Sequence, residues 1–215
     1  MPTGTELIVV IVAYALGCVV TGYLLVRWRT GQDIRRLGSG STGASNVGRT
    51  LGRAGFVVTL LGDAAKGALA VGVARYAGVR ERWVGAALVA VVAGHVWPAP
   101  LHFRGGKGIG PSVGALLVFD IRVAAVLGAL FLPGFAVARR FVPAGLAAYA
   151  LLPACLGLLG FGALAVAATA AVAAIVVVGH RDNIRAEVAR LRAARAARAA
   201  RAAGAAGSGG THRGS

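Results

Sequence analysis

Long apolar blocks separated by short polar stretches make up most of the 215-residue chain. A helix needs about 20 mainly apolar residues to cross a membrane, and every block except one comes close to that length. We therefore predict an all-α, polytopic membrane protein with seven transmembrane helices, of which the fourth is short. The predicted segments are Glu6–Trp28, Ala54–Ala77, Trp83–Leu101, Pro111–Phe119, Ile121–Ala138, Val142–Leu159 and Phe161–Gly179.

The basic residues are distributed unevenly between the two sides of this arrangement. Of the 23 arginines and lysines, 18 fall on the side that carries the C-terminus, four fall on the other side, and Lys66 lies inside the second segment. Because cytoplasmic loops carry an excess of Lys and Arg, we predict an outside N-terminus and a cytoplasmic C-terminus. Joining segments four and five into one kinked helix would leave six spans and would break this asymmetry.

Composition excludes a soluble domain and a nucleic-acid partner. Hydrophobic residues make up 57% of the chain and charged residues only 14%, whereas soluble domains have about 25% charged residues. The net charge of +16 comes from basic residues between and after the apolar blocks, where they set topology. Cys18 and Cys155 lie in apolar segments without metal-ligating neighbours, so we predict no metal site.

The C-terminal part of the chain is dominated by alanine and arginine. Both residues favour helices, and the run predicts a solvated or interfacial helix that touches anionic lipid headgroups. From Gly204 the chain consists mainly of Gly, Ala and Ser, a composition typical of disorder. We therefore predict a transmembrane domain over residues 1–183, a basic helical tail over 184–203 and a disordered tail over 204–215.

A glycine- and serine-rich loop, Gly38–Arg49, follows the first segment. Its glycines allow backbone amides to approach an anion, and Ser39 and Asn46 add neutral hydrogen-bonding groups. The guanidinium of Arg49 fits a phosphate through two parallel hydrogen bonds. A flexible linker is the alternative, but it would not need Asn46 and Arg49 directly before a span, so the pattern favours phosphate binding.

A second glycine-rich loop, His102–Gly110, precedes the fourth segment and contains Gly105-Gly106-Lys107-Gly108. A helix N-terminus, glycine amides and an ammonium group could all contact one phosphate here. The loop lacks the GxxxxGK[ST] spacing of a Walker A motif. The alternative is a tight turn with a lysine that reaches the membrane surface.

The last segment ends in His180-Arg181-Asp182-Asn183. His180 could act as an acid, a base or a hydrogen-bond donor, and the amide of Asn183 both donates and accepts. Taken alone, this sequence is typical of a helix boundary. Its place on the same side as the two glycine-rich loops favours a shared site.

Ionisable residues also lie inside the predicted spans. Asp63 and Lys66 are three residues apart and share one helix face; they form either an internal ion pair or, through Lys66, a contact with a substrate phosphate. His95 forms either a hydrogen bond between helices or part of the catalytic machinery. No nucleophile–base pair stands out, which favours catalysis by anion binding and positioning.

The three motifs resemble those of the PlsY family, bacterial glycerol-3-phosphate acyltransferases that use acyl-phosphate as the donor. The family pattern GSGNxGATNxxR, GHxxPxxxxFxGGKG and HRxNI is similar to Gly38–Arg49, Gly94–Gly108 and His180–Ile184. The resemblance implies a seven-span protein of the bacterial plasma membrane with a cytoplasmic active site and no cofactor. It also implies acyl transfer to glycerol 3-phosphate, which yields lysophosphatidic acid for phospholipid biosynthesis.

Site residues and partners follow from the motifs and from this resemblance. The resemblance implies acyl-phosphate and glycerol 3-phosphate as substrates, membrane lipids as surroundings, and an acyl-phosphate synthase as a partner. The predicted catalytic residues are Ser39, Arg49, Lys107, His180 and Asn183; the predicted glycerol 3-phosphate ligands are Ser39, Asn46, Arg49 and Lys66; the predicted acyl-phosphate ligands are Gly105, Gly106, Lys107 and Gly108.

The chain departs from the family pattern at several positions. Ser41 stands where the family has Asn, Ser45 where it has Thr, and Pro111-Ser112 where Ala-Thr is usual; the last change bears on donor-loop geometry or acyl-chain preference. Two alternative functions are a transporter or channel for a phosphorylated solute and a degenerate scaffold member of the family. Transporters bind near mid-membrane between repeats, whereas here the cationic groups gather at one face without an internal repeat.

Overall fold

The computed structural model describes the backbone of residues 2–208, without the side chains of 194 and 198–208. This part of the chain consists of helices connected by turns. The all-α prediction is confirmed over these residues. The helices are α1 Gly4–Cys18, α2 Thr21–Thr30, α3 Ala44–Tyr76, α4 Glu81–Val96, α5 Ile109–Phe119, α6 Ile121–Ala138, α7 Phe141–Leu158, α8 Ala163–Gly179 and α9 Arg181–Ser208, with short 3₁₀ turns at Ile34–Arg36 and Ala99–Leu101.

The chain divides into two compact units between Gly179 and His180. The first unit contains α1 to α8, and the second contains α9. The predicted division at residue 183 and the predicted disorder after residue 203 stay predictions. Of the predicted disordered tail, residues 209–215 lie outside the described residues.

All seven apolar segments are helical, but they differ in length. Within residues 2–208, five stretches are long and apolar enough to cross a membrane, namely Gly4–Thr30, Ala44–Tyr76, Glu81–Leu101, Ile121–Ala138 and Phe141–Leu158. A sixth arises only if α8 is counted together with the start of α9, and α5 has only 11 residues. The structure therefore supports a membrane protein with five or six spans by this measure, and the count of seven stays a prediction.

The helices of the first unit are interrupted at three places, and these interruptions place polar groups within the unit. Val19 and Val20 separate α1 from α2. Gly52, with φ 76° and ψ −170°, interrupts α3 and sets residues 44–51 apart from the spanning part of the helix. Asp120 separates α5 from α6 and caps α6 by accepting a hydrogen bond from the backbone N–H of Arg122 at 2.9 Å. Segments four and five are therefore two helices.

Glycines bring the backbones of two helix pairs into direct contact. A Cβ on Gly17 of α1 would overlap the Val91 carbonyl of α4, and a Cβ on Gly94 would overlap the Tyr14 carbonyl of α1. The pair α3 and α5 meets in the same way at Gly114, where a Cβ would overlap the Ala64 carbonyl. Such small-residue contacts are typical of helix packing in membranes, where close van der Waals contact and polar groups drive association.

Ion pairs hold the end of the first unit that lies away from the glycine-rich loops. Arg80 donates from Nε and Nη2 to the two carboxylate oxygens of Glu6 at 2.6 and 2.7 Å. Arg75 donates to the carbonyls of Val118 and Phe119 at the C-terminus of α5. These contacts join the start of α1, the α3–α4 turn and the end of α5, so the two glycine-rich loops are left at the opposite end.

Candidate active site

The first glycine-rich loop is organised by one buried amide. Asn46, which is 1% exposed, accepts a hydrogen bond from the Ser39 N–H at 3.0 Å. Its Nδ2 donates to the carbonyls of Leu37 and Ser41, both at 2.9 Å. Because both ends of the amide are occupied by loop backbone, Asn46 acts in this structure as the centre of the loop fold. Its predicted role as a ligand stays a prediction.

Ser39 and Arg49 lie on the exposed side of the same loop. The Ser39 backbone is fixed by Asn46, and Nη1 of Arg49 lies 3.5 Å from Asn46 Oδ1. Gly38 has φ 53°, and a Cβ there would overlap Asn46 Oδ1. The glycine is therefore required for the loop to close over the amide, which holds Ser39 near the helix turn that carries Arg49.

The second glycine-rich loop folds back onto the end of α4. The N–H groups of Gly105 and Gly106 donate to the carbonyls of Val96 and His95 at 3.1 and 3.0 Å. A Cβ on Gly105 would overlap the His95 carbonyl, and a Cβ on Gly106 would overlap the imidazole ring of His95. The two glycines are thus required by the close approach of the loop to α4, a reason that the sequence alone does not reveal.

The remainder of this loop leads into α5 through strained backbone. His102 and Phe103 have φ values of 55° and 59°, a left-handed conformation that non-glycine residues rarely adopt and that surrounding structure must hold in place. Gly108, with φ 87°, is the N-cap of α5. Half-buried Lys107 lies next to the end of α8, since a Cβ on Gly179 would lie 3.2 Å from the Lys107 carbonyl.

Arg35 joins the two loops. Its Nη1 donates at 2.9 Å to the carbonyl of Leu101, the last residue of the 3₁₀ turn that directly precedes the second loop. Its Nε and Nη2 bind Asp33 in the 3₁₀ turn before the first loop, with Nη2–Oδ2 at 2.6 Å. The guanidinium also lies 5.2 Å from the centre of the Tyr23 ring, a cation–π geometry. Protein groups alone therefore fix the two loops to each other at one end of the unit.

The ion pair of Arg35 is stable across the neutral pH range. Hydrogen bonds from the Arg35 side chain hold the pKa of Asp33 below its ordinary value. A carboxyl group with a lowered folded-state pKa stabilises the fold above its unfolded pKa, and that contribution is lost as the pH falls through the folded value. The link between the loops is therefore expected to weaken only in acid.

A cluster of three ionisable residues lies buried beneath the second loop. Lys66 Nζ is 3.0 Å from Asp63 Oδ1 and 2.9 Å from His95 Nδ1. Nζ also donates to the carbonyls of Gly17 and Val19 at 3.1 and 2.7 Å, which lie at the break between α1 and α2. These contacts favour the internal ion pair over direct phosphate contact for Lys66, and they give His95 the hydrogen bond between helices.

An apolar cavity of about 230 Å³ lies beside the start of α5. Ile109 and Leu117 of α5, Phe131 of α6 and Tyr149 of α7 contribute to its walls. Tyr149 Oη lies 2.5 Å from Ser112 Oγ. Because Ile109 directly follows Gly108, the cavity begins at the end of the second loop.

The third motif belongs to the second compact unit. His180 precedes the first turn of α9, and Asn183 lies within that turn. The roles predicted for both residues stay predictions that rest on the motif.

Sequence reasoning missed Asp33 and Arg35. The signal was present, since an acidic and a basic residue two positions apart stand directly before a glycine-rich loop. That spacing does not identify Leu101 as the distant partner, because the partner is set by the tertiary fold.

Comparisons with known proteins identify relatives over most of this chain. The profile of the family described as glycerol-3-phosphate acyltransferase matches residues 7–190. A glycerol-3-phosphate acyltransferase of Geobacter sulfurreducens is 43% identical over 182 residues, which cover 84% of this chain and 92% of the relative. Glycerol-3-phosphate acyltransferase 1 of Desulfitobacterium hafniense is 41% identical over 181 residues, which cover 84% of this chain and 89% of that protein.

Two solved structures have the same fold. Crystal structures of PlsY (YgiH), an integral membrane glycerol 3-phosphate acyltransferase, in its glycerol 3-phosphate and lysophosphatidic acid forms match with TM-scores of 0.79 and 0.76. The identities are 28% and 27%, and each match covers 86% of this chain and 93% of the other. The length of the family match and the identity to its members place this chain in the glycerol-3-phosphate acyltransferase family.

Proposed function

We propose that this chain transfers a fatty acyl group from acyl-phosphate to glycerol 3-phosphate, forming lysophosphatidic acid and inorganic phosphate. The relatives are named for acyl transfer to glycerol 3-phosphate, and the two solved structures are the glycerol 3-phosphate and lysophosphatidic acid forms of such an enzyme. Acyl-phosphate as the donor follows from the motif resemblance. The product enters phospholipid biosynthesis.

The observation that carries the proposal is the link made by Arg35 between the two glycine-rich loops. A reaction between two phosphorylated substrates needs two anion sites whose reacting groups face each other. The first loop offers Ser39 and Arg49, and the second offers Lys107 and the N-terminus of α5. An anion is stabilised at such a helix N-terminus by free N–H groups and by the helix dipole.

In the proposed reaction, a hydroxyl oxygen of glycerol 3-phosphate attacks the acyl carbonyl carbon of acyl-phosphate. The bond between that carbon and the bridging phosphate oxygen breaks, and inorganic phosphate leaves. The hydroxyl proton passes to a phosphate oxygen, which agrees with the lack of a dedicated base among the motifs. Cationic groups and the N-terminus of α5 stabilise the negative charge that develops on the carbonyl and leaving-group oxygens.

We assign the catalytic and binding roles as follows. Arg49 and Ser39 bind glycerol 3-phosphate, and Gly105–Gly108 with Lys107 binds acyl-phosphate. The motif resemblance assigns His180 and Asn183 to the same reaction. Asn46 and Lys66 support these groups from within the protein, because their polar atoms contact backbone and buried side chains.

The reaction takes place at the cytoplasmic face of the bacterial plasma membrane in this proposal. Both glycine-rich loops belong to the side that carries the excess of Arg and Lys, which is cytoplasmic in membrane proteins. Seven spans with an outside N-terminus satisfy this orientation, with α5 as the short fourth span. The family resemblance adds an acyl-phosphate synthase as the partner that supplies the donor.

The test is acyl transfer by the purified protein in lipid nanodiscs with labelled glycerol 3-phosphate. Acyl-phosphate, acyl-coenzyme A and acyl-carrier protein are offered in turn, and we expect labelled lysophosphatidic acid with acyl-phosphate alone. Product from a thioester alone would keep the acceptor and overturn the donor. No product from any donor, with the fold verified, would favour the transporter or scaffold alternatives.

Two variants of Arg49 test the acceptor site in this assay, and the second keeps the positive charge at this position as a matched comparison. We expect Arg49→Ala to abolish transfer while the protein still inserts and remains monodisperse, because the loss removes the forked cation for the acceptor phosphate. Arg49→Lys keeps the charge without the fork and should raise the KM for glycerol 3-phosphate about tenfold or more. A fully active Arg49→Ala protein would contradict the acceptor site.

A further inference from the structure

The buried cluster of Asp63, Lys66 and His95 has no role in the reaction as proposed so far. It lies within the transmembrane part of the first unit, and all three residues are less than 10% exposed. Ionisable groups are costly in this environment unless they are paired or have a function. The cluster contacts the second glycine-rich loop through the side chain of His95.

The cluster is anchored at the break between α1 and α2. Gly17 and Gly94 let α1 and α4 touch backbone to backbone, and the Gly17 carbonyl lies 3.1 Å from Nζ of Lys66 on α3. The Val19 carbonyl lies at 2.7 Å. Carbonyls at a helix end lack partners within the helix, so the lysine satisfies groups that the break exposes. Lys66 is thereby fixed in position by three helices.

The lysine in turn fixes the ring of His95. An ammonium group has protons to donate and no lone pair, so His95 Nδ1, at 2.9 Å from Lys66 Nζ, acts as the acceptor. A neutral imidazole that accepts at Nδ1 carries its proton on Nε2. Asp63 Oδ1 lies 3.6 Å from the same Nδ1 and balances the charge of Lys66.

The opposite edge of the ring lies against the second loop. Nε2 is the atom that a Cβ on Gly106 would meet first, followed by Cε1 and Cδ2. The Gly106 N–H also donates to the His95 carbonyl at 3.0 Å. The loop is therefore seated on both the backbone and the side chain of one residue.

We propose that His95 is a positioning residue for the acyl-phosphate loop, with its imidazole held by Lys66 and Asp63 as the surface on which Gly106 rests. The inference rests on the proposed function, because it assigns the loop Gly105–Gly108 to the donor. The ring sets the position of the loop backbone and of Lys107 relative to the first glycine-rich loop. Glycine is required at position 106 because the ring occupies the space of a side chain.

The test is a double-mutant cycle between His95 and Gly106, read by steady-state kinetics with acyl-phosphate and glycerol 3-phosphate varied separately. Gly106→Ala pushes the loop away from the ring and should lower kcat/KM for acyl-phosphate by about 100-fold, as expected for a misplaced substrate site. His95→Asn keeps an acceptor for Lys66, removes Nε2 and Cε1, and should cost about tenfold. The KM for glycerol 3-phosphate should stay within about twofold in both.

The double variant distinguishes positioning from general damage. With the ring truncated, the added methyl group has room, so His95→Asn with Gly106→Ala should perform about as well as His95→Asn alone, and the losses should be strongly non-additive. Gly105→Ala is the matched control, because its Cβ meets the His95 carbonyl and Pro98. Truncation of the His95 side chain should not rescue it.

The possible outcomes separate this inference from the proposed function. Additive losses at His95 and Gly106, or an equal rise in the KM of both substrates, would overturn the positioning role while acyl transfer by the unmodified protein stands. An unmodified protein that transfers nothing from acyl-phosphate would overturn the proposed function and the donor role of the loop together. Monodisperse elution and a cooperative thermal transition identify the variants that are folded.

Discussion

A single buried amide sets the geometry of the first glycine-rich loop, which we propose binds the acceptor. Asn46 uses its oxygen for the Ser39 N–H and its nitrogen for two carbonyls. A carboxylate in the same place would present an oxygen to those carbonyls. Asparagine fits this position because its amide donates and accepts at once, whereas an ionised aspartate only accepts and leucine does neither.

Asn46→Asp should destabilise the protein and abolish acyl transfer. The carbonyls of Leu37 and Ser41 lose their donor, and each buried polar group left without a partner costs about 1–3 kcal/mol. The measurement is the thermal transition in detergent together with the transfer rate. Ser45→Ala, at the exposed neighbouring position, is the control and should leave the thermal transition unchanged. An Asn46→Asp protein with normal stability would contradict the structural role of the amide.

For single residues in the loops, the sequence predicted which residues matter better than it predicted what each of them contacts. Gly105 and Gly106 were predicted as phosphate-binding amides, and the structure adds that both are needed for contact with His95. That contact joins residues of a helix end and a loop through backbone and ring geometry, which no local pattern encodes. Lys66 was predicted with two alternatives, and its four partners in the fold favour one of them.

At the scale of elements, the break between α1 and α2 depends on a lysine from another helix. The apolar sequence around Val19 predicts one continuous helix, because Val and Gly are common in membrane spans and no proline marks the break. The carbonyls that the break exposes are satisfied by Lys66, 47 residues from Val19 in the chain. Helix positions were therefore predictable from apolar blocks, whereas the break required knowledge of tertiary contacts.

Lys66→Met should destabilise the first unit more than replacement of the whole ion pair. The single change leaves the Asp63 carboxylate buried without its cation, a loss of about 3–5 kcal/mol. In the double variant Asp63→Asn with Lys66→Met no charge is left unpaired, so part of the stability should return. Thermal unfolding of the three proteins in the same detergent measures the difference. Equal stability of Lys66→Met and the unmodified protein would contradict the buried ion pair.

At the scale of the whole molecule, our prediction of the orientation of the chain rests on the distribution of charge. Five or six helical stretches pass as spans by length and composition, and the seven-span proposal depends on α5 and α8 crossing as well. Apolar length alone does not distinguish a short span from a re-entrant helix, which is why the count was less predictable than the helices themselves.

Cysteine labelling tests the proposed orientation. In a Cys18→Ala, Cys155→Ala background, Thr5→Cys should react with a membrane-impermeant maleimide in intact bacterial cells. His102→Cys, in the donor loop, should react only after the membrane is permeabilised. Both side chains are exposed in the structure, so burial does not limit the reaction. Labelling of both positions in intact cells would contradict a cytoplasmic active site with an outside N-terminus.

The C-terminal tail is expected to be dispensable for catalysis. The family match ends at residue 190, and Leu191 and Arg192 are exposed. Truncation after Arg190 should therefore retain most of the acyl-transfer activity, measured in the same nanodisc assay. Truncation after Gly179, which also removes His180 and Asn183, should abolish it. Complete loss in the shorter deletion would show that the Ala/Arg tail is required by the fold.

The link between the two loops has a consequence for the order in which substrates bind. Arg35 makes it with Asp33, Tyr23 and the Leu101 carbonyl, so the spacing between the loops that we propose bind donor and acceptor does not depend on a bridging substrate. Binding of one substrate is therefore not needed to form the site of the other, and no binding energy is used to assemble either site. In kinetic terms, this arrangement favours random addition of the two substrates, with apparent affinities independent of each other.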